Sequence, residues 1–338
     1  MKRLTMGNEA VALGALKAGM TFFAAYPITP ASEIMHVLAE KEDEIGFVHA
    51  EDEIASIHLV IGASLAGRKA LTSTSGPGMS LKQEGIGLAH MMEAPLVVVN
   101  VMRVGPSTGM PTLPAQGDIL QAKHGSHGDY TPLVFYPGSV AECYRYTMEA
   151  FNAAEESRSP VILLLDGFLA HLSETVDLSK IKVESKARSF KPLGAGNRHF
   201  TGLLEKGGIP RTKDTIYYRE WYDRIARKMR KTAADYRFFE YEENKAADTL
   251  LIAFGITSRV IRPLKNRYSL FRPIRLFPIL EAELKAAADQ HEKIVVVEMN
   301  DGQYRGEVQR VLKREALSLP VLGGSIHLKE IEEKLNEL

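Results

Sequence analysis

Cysteine is almost missing: Cys143 is the only one in 338 residues. That excludes an internal disulfide framework and a four-thiolate iron–sulfur site within this chain, so any electrons that move here must leave through another subunit. Charge of one sign is lacking too, with 42 Lys and Arg against 42 Asp and Glu. No net field draws the protein to nucleic acid or to an anionic membrane, and zero formal charge favours a chain that lives in a complex. No stretch approaches the roughly 18 uninterrupted apolar residues of a membrane span. The N-terminal segment reaches Glu9 before any apolar run of signal-peptide length, so a cytoplasmic location is expected. What is present is 45% hydrophobic and 25% charged residues, enough for a large core and about two domains.

Residues Asn8 to Lys17 have helical character and end before Gly19. Thr21 to Ala25 reads as a buried strand, followed by the stiff turn Tyr26-Pro27-Ile28-Thr29-Pro30, with Thr29 as N-cap and Pro30 at the first helical position. Phe47 to Ala50 reads as a short buried strand running straight into a helix whose first turn holds Glu51, Asp52 and Glu53. Two readings are open. Acids in a first helical turn are favoured by the helix dipole, and one carboxylate at the carboxyl edge of a parallel sheet is also where open α/β folds place their chemistry. The helix, Asp52 to Ala66, sets Ile54, Ile57, Ile61 and Leu65 on one stripe, with His58 as a packed or interfacial residue.

Leu71 to Thr74 reads as a strand entering a sharp turn, Ser75-Gly76-Pro77-Gly78, whose small residues let backbone amides approach a ligand before the helix Met79 to His90. Leu96 to Val101 is the clearest buried strand and empties into a Gly/Pro-stiffened loop, Arg103 to Thr112. An arginine fork beside small hydroxyls there suits an anion such as carboxylate or phosphate. His124 and His127 are too loosely spaced for a metal site. Ser139 and Glu142 have capping-box spacing ahead of a helix to about Glu156. Val161 to Leu165 is a further buried strand.

The alternation predicts an α/β fold, a doubly wound and mostly parallel sheet over residues 1–180. Residues 181–245 change to a charged, glycine-containing segment with a basic helix candidate over Arg219 to Tyr236. Its Arg224, Arg227, Lys228, Arg230 and Lys231 come without an RNA-binding motif, so a solvated or subunit-contacting helix is expected. Strand and helix alternation resumes over 246–338 as a second, smaller α/β domain with strands at Thr249 to Phe254 and Ile294 to Met299.

Three stretches together, Tyr26-Pro27-Ile28-Thr29-Pro30, the Glu53 helix with its Ser-Gly-Pro-Gly turn, and Arg103-Val104-Gly105-Pro106-Ser107-Thr108-Gly109-Met110-Pro111-Thr112, resemble the α subunit of 2-oxoacid:ferredoxin oxidoreductases. The resemblance spans nearly the whole chain. It implies a thiamine diphosphate pyrimidine-side domain at 1–180, a subunit-contact segment, and a transketolase C-terminal-like domain at 246–338. It further implies a separate β subunit that carries the diphosphate side, Mg2+ and a [4Fe–4S] cluster, with γ and ferredoxin-like δ subunits, ferredoxin and coenzyme A as further partners. The activating glutamate falls on Glu53, with Glu51 as the alternative; its carboxylate would favour the imino tautomer of the pyrimidine. Substrate contacts fall on Thr29, Arg103 and Thr112, and cofactor contacts on Tyr26, Pro27, Ile28, Ser75 and Gly76 beside Glu53.

Half of a cofactor site is missing, in keeping with that division: Gly117-Asp118 and Asp166-Gly167 are fragments of a Gly-Asp-Gly site without its asparagine pair. The segment Ala122 to Asp129 and the short length are more similar to 2-oxoglutarate and branched-chain members than to fused pyruvate enzymes. The expected reaction is oxidative decarboxylation of 2-oxoglutarate to its acyl-CoA, with 2-oxoisovalerate and pyruvate as alternatives. Ala31 departs from the family, where many relatives have serine. Other readings are a thiamine-dependent decarboxylase or transketolase half, and a non-catalytic scaffold or ligand binder, against which Glu53, Thr29 and Arg103 together count.

Overall fold

The computed structural model describes residues 2–189, 191–195 and 202–338. Its larger sheet has eight strands. Across it run Arg275–Phe277, Leu133–Phe135, Val161–Asp166, Val97–Val104, Ala70–Thr74, Phe22–Ala25 and Gly46–His49, with Met110–Pro114 folded back on Val97–Val104. Pairing is parallel except for Arg275–Phe277 and Met110–Pro114, so the α/β doubly wound architecture is as expected. The pleat sorts the β-branched run: Val97, Val99 and Val101 enter one core with Ala10, Ile34 and Phe151, while Val98 and Met102 enter the other with Ile57, Met79 and Ile86. Helices Gly7–Lys17, Ser32–Ala39 and Val140–Ser157 thus cover one face, and Glu53–Leu65 and Gly76–Met91 the opposite one.

A second sheet of five strands has the order Phe239–Glu242, Ser269–Pro273, Thr249–Ile252, Lys293–Glu298, Leu317–Pro320. It is parallel apart from its first strand. After Ser269–Pro273 the chain crosses back and gives Arg275–Phe277 to the larger sheet, opposite Phe135 and Val134.

Several local expectations are corrected. Gly46–His49 is an edge strand, half-buried and ending in exposed His49, and Ala50 to Asp52 separate it from the next helix. Ile54 is 49% exposed, and the buried stripe runs instead through Ile57, Val60, Ile61, Ser64 and Leu65, because the helix rests on the sheet one position further round. Thr29 caps nothing: the Thr29–Pro30 peptide is cis, and the helix starts at Ser32 with Ala31 at its cap position. Ser75 to Gly78 is no separate turn but a helix start, with Ser75 at the N-cap and Pro77 in the first turn. Arg103 lies in a strand, and the stretch after it is a β-hairpin closed by Ser107 and Gly109 at positive φ.

The basic helix is Thr215–Asp235. Trp221, Ile225, Met229 and Ala233 dock it on the first core, while Arg224 and Lys228 both bind Glu93 of this same chain. His58 is exposed, bonded through Nδ1 to the Ile54 carbonyl at 2.7 Å. His124 and His127 are exposed, and no metal-ligating cluster occurs among the described residues. No helix among the described residues is long and apolar enough to cross a membrane.

Candidate functional site

The carboxyl ends of the parallel strands gather the residues singled out by the sequence. Asp52, not Glu53, caps the helix, its Oδ1 accepting from the Ala55 amide at 2.6 Å. Glu53 becomes the first helical residue and is only 5% exposed, whereas Glu51 lies outside the helix and in solvent. The Glu53 carboxylate reaches over Gly78. A Cβ at Gly78 would stand 2.4 Å from Glu53 Oε1 and 2.2 Å from Thr74 Oγ1, so only glycine leaves room for it. Among the described residues no hydrogen bond reaches the Glu53 carboxylate; its backbone carbonyl accepts from Ser56 Oγ at 3.0 Å and from Lys82 Nζ at 3.3 Å.

Lys82 is the residue that sequence reading missed. It is fully buried on the helix Gly76–Met91, with Nζ donating also to Ser56 Oγ. Burial pulls its ammonium down to about 7, against the opposing pull of Glu53 and then Asp52. A signal existed: Met79, Lys82, Gln83, Ile86, Ala89 and His90 form the helix's buried stripe, and a lysine among them stands out.

Arg103 approaches from the neighbouring strand. It is 6% exposed, its Nη1 donates to the Thr29 carbonyl at 2.7 Å, and its Nε has no partner. Burial lowers its guanidinium pKa, with the Asp118 and Glu53 carboxylates acting in the opposite sense. Asp118 itself is pushed up by burial while accepting from Asn100 Nδ2 at 2.9 Å. Gly76, at φ +29, lies under the arginine stem: a Cβ there would be 3.8 Å from Arg103 Cγ. Buried Ser75 and Thr74 present hydroxyl oxygens without a partner.

The fold therefore brings Glu53, Thr74, Ser75, Gly76, Thr29 and Arg103 to one edge. Tyr26 is exposed there, with Pro27 and Ile28 half-buried beside it. Thr112 is exposed on the hairpin strand, and among the described residues no hydrogen bond ties it to Arg103 or Glu53. A cavity of about 480 Å³ opens beside Arg103, between Gly76, Ser107 and Asp118 on one side and Asn300 and Gly323 on the other. A larger cavity, about 580 Å³, lies away from these residues and is walled by ion pairs such as Arg272–Glu142 and Arg259–Glu174.

Residues 13–244 match the family described as pyruvate flavodoxin/ferredoxin oxidoreductase, thiamine diphosphate-binding. The 2-oxoglutarate synthase subunit KorA of Archaeoglobus fulgidus is 41% identical, across 99% of this chain and 97% of its own length. The ketoisovalerate oxidoreductase subunit VorB of Methanothermobacter thermautotrophicus is 36% identical over 99% of this chain and 97% of its own. Among solved structures, 2-oxoglutarate:ferredoxin oxidoreductase from Magnetococcus marinus, with 2-oxoglutarate, coenzyme A and succinyl-CoA bound, superposes with a TM-score of 0.92 at 31% identity. That match covers 99% of this chain and 65% of the Magnetococcus chain. With the buried carboxylate at the sheet edge and similarity of this extent, the chain belongs to the pyruvate flavodoxin/ferredoxin oxidoreductase family and carries its thiamine diphosphate-binding region.

Proposed function

We propose that this chain is the pyrimidine-side α subunit of a cytoplasmic 2-oxoacid:ferredoxin oxidoreductase that converts 2-oxoglutarate and coenzyme A to the acyl-CoA. The observation that carries the reading is Glu53: a carboxylate 5% exposed, seated over a glycine that its own bulk requires, with no protein group bonded to its oxygens among the described residues. The carboxylate acts on Lys82 and Arg103 only through longer-range electrostatics and accepts no hydrogen bond among the described residues, so the geometry suits a ligand that donates one. The fit to the pyrimidine half of thiamine diphosphate is good, since unpartnered Ser75 and Thr74 hydroxyls and the Arg103 Nε stand at the same edge. When bound, the cofactor supplies the electron sink for loss of carbon dioxide.

The chain's own residues then have distinct tasks. Glu53 holds a proton between its carboxylate and the pyrimidine ring nitrogen. Arg103, anchored on the Thr29 carbonyl, keeps its remaining donors for the 2-oxoacid carboxylate, and Thr29 with Thr112 orients it. Tyr26, Pro27, Ile28, Ser75 and Gly76 shape the cofactor's bed. Residues 1–180 form the pyrimidine-side unit, 181–245 a linking and subunit-contact segment, and 246–338 the smaller domain. The diphosphate, Mg2+ and the [4Fe–4S] cluster sit on a β subunit, in keeping with the single buried cysteine of this chain, and γ and δ subunits join them. Support for 2-oxoglutarate comes from the name of the KorA relative and from the ligands of the Magnetococcus structure. The VorB relative makes 2-oxoisovalerate the competitor to assay.

The test is reconstitution with the β chain and its companions. Glu53→Gln keeps shape and assembly but weakens the acceptor, so kcat falls by about 10²–10⁴ and hydrogen–deuterium exchange at C2 of bound thiamine diphosphate slows. Wild-type exchange in that variant sinks the assignment, and slowing only in Glu51→Gln moves it two residues upstream. The isolated chain is expected to hold no iron and to turn over no substrate.

A further inference from the structure

Lys82 is costly where it stands. On a buried stripe between Met79 and Ile86, a methionine would fill the volume without desolvating an ammonium. Its two hydrogen bonds run to one place, the first turn of the helix that begins at Glu53: the Glu53 carbonyl at 3.3 Å and the Ser56 hydroxyl. Ser56 Oγ in turn bonds the same Glu53 carbonyl at 3.0 Å, closing a triangle behind the carboxylate. Gly78, one helical turn before Lys82, forms the floor on which that carboxylate lies. One helix therefore grips Glu53 twice, by side-chain floor and by backbone anchor.

We propose that Lys82 is a positioning residue for Glu53, fixing the helix turn from behind so that the carboxylate points out over Gly78 towards the ligand. This rests on the reading of Glu53 as the cofactor-side carboxylate. Lys82 touches neither cofactor nor substrate. The charged groups on the elements packed against it are Asp52 and Glu53 at the head of one helix and Arg103 on the strand below; His58 and Glu84 pair at 3.6 Å on the exposed side. With burial drawing it to about 7, Lys82 gains or loses its proton near neutrality, and the grip is strongest when it is charged.

The experiment compares Lys82→Met, Lys82→Arg and Glu53→Gln in the assembled complex. Lys82→Met is expected to assemble and to lose about 10–100-fold in kcat, with KM for 2-oxoglutarate within about twofold. The wild-type pH profile of kcat falls through an inflection near 7 that Lys82→Met lacks and that Lys82→Arg, charged throughout, removes while recovering activity. Calorimetric titration with thiamine diphosphate gives a readout independent of turnover: affinity weakens about tenfold in the methionine variant and returns in the arginine variant. Unchanged kcat, pH profile and cofactor affinity in Lys82→Met overturn the proposal and leave Lys82 as packing. If Lys82→Met does not assemble, Ser56→Ala removes one anchor and keeps the amine; wild-type kcat and affinity there overturn it equally. Wild-type behaviour of Glu53→Gln refutes the cofactor-side reading itself, whereas loss in Glu53→Gln alone refutes only the role of Lys82.

Discussion

Arg103 works under two constraints at once: one nitrogen is committed to the Thr29 carbonyl at 2.7 Å, and Nε is left free in a site only 6% exposed. A planar fork meets both demands, whereas a lysine has one nitrogen for two directions. Arg103→Lys is therefore expected to lower kcat/KM for the 2-oxoacid by an amount equal to about 1.5–3 kcal/mol, with thiamine diphosphate affinity nearly unchanged. Steady-state kinetics beside a cofactor titration checks both halves. Gly78 offers a sharper test. The added methyl of Gly78→Ala would meet Glu53 Oε1, the far end of a flexible side chain, and Thr74 Oγ1, so the fold survives within about 1–2 kcal/mol while the carboxylate is displaced. Slowed C2 exchange at near-normal stability is the expected outcome; normal exchange would show that the floor is not needed. That Glu53 and Arg103 stand at strand ends is legible because each belongs to a local pattern. Lys82 shows in the sequence only as a lysine on a buried stripe; its contact with Ser56 and the place of Gly78 beneath Glu53 do not show, since side-chain reach across helices leaves no local trace.

Helices in this chain were easier to place than their ends. Ser139 does cap Val140–Ser157, accepting from the Glu142 amide at 3.2 Å, but Glu142 turns its carboxylate to the Gly138 amide and Arg272 rather than back to Ser139. The pattern for a reciprocal box was present, and a tertiary arginine overrode it. The helix Thr215–Asp235 shows the same competition, because the charges that suggest a solvated or partner-facing surface split: Arg224, itself half exposed, and Lys228 bind Glu93, while Arg227, Arg230 and Lys231 are exposed and do not. Burial pushes the Glu93 carboxyl up, yet Arg224 and Lys228 outweigh it and hold it at about 2, well below its ordinary 4.5. A depressed carboxyl contributes stability above its unfolded value and loses it as pH falls through the folded one. Glu93→Gln should therefore cost about 1–3 kcal/mol at pH 7, discounted because Arg224 is half exposed, and the gap to wild type should close between pH 4.5 and 2. Urea titrations of both proteins across that range measure it; a pH-independent gap would assign the loss to packing.

Across the whole molecule, regular alternation of strand and helix was enough to indicate two α/β layers, since period and length are local properties. How the two sheets are joined was hidden, because it depends on contacts between residues far apart in the chain. Strand Arg275–Phe277 returns to the first sheet, and Gln116 forms a buried polar link. Wholly buried, it donates from Nε2 to Tyr136 Oη and to the Phe254 carbonyl, both at 3.0 Å, and its Oε1 accepts from the Met299 amide at 3.0 Å. Tyr136 passes the link to Asp166 at 2.7 Å, and Asp166 accepts from the Ile256 amide at 3.0 Å. A leucine at 116 fits the volume but leaves the Met299 amide without its acceptor and removes one donor from the Phe254 carbonyl. Each buried polar group stranded in this way costs about 1–3 kcal/mol, so Gln116→Leu should destabilise the chain by about 2–5 kcal/mol in chemical denaturation. Since Gly117 and Asp118 on one side and Met299 and Asn300 on the other line the cavity beside Arg103, the same change should raise KM for the 2-oxoacid and leave Glu53-dependent C2 exchange intact. A loss below about 1 kcal/mol with unaltered KM would mean that the two sheets hold their register without Gln116.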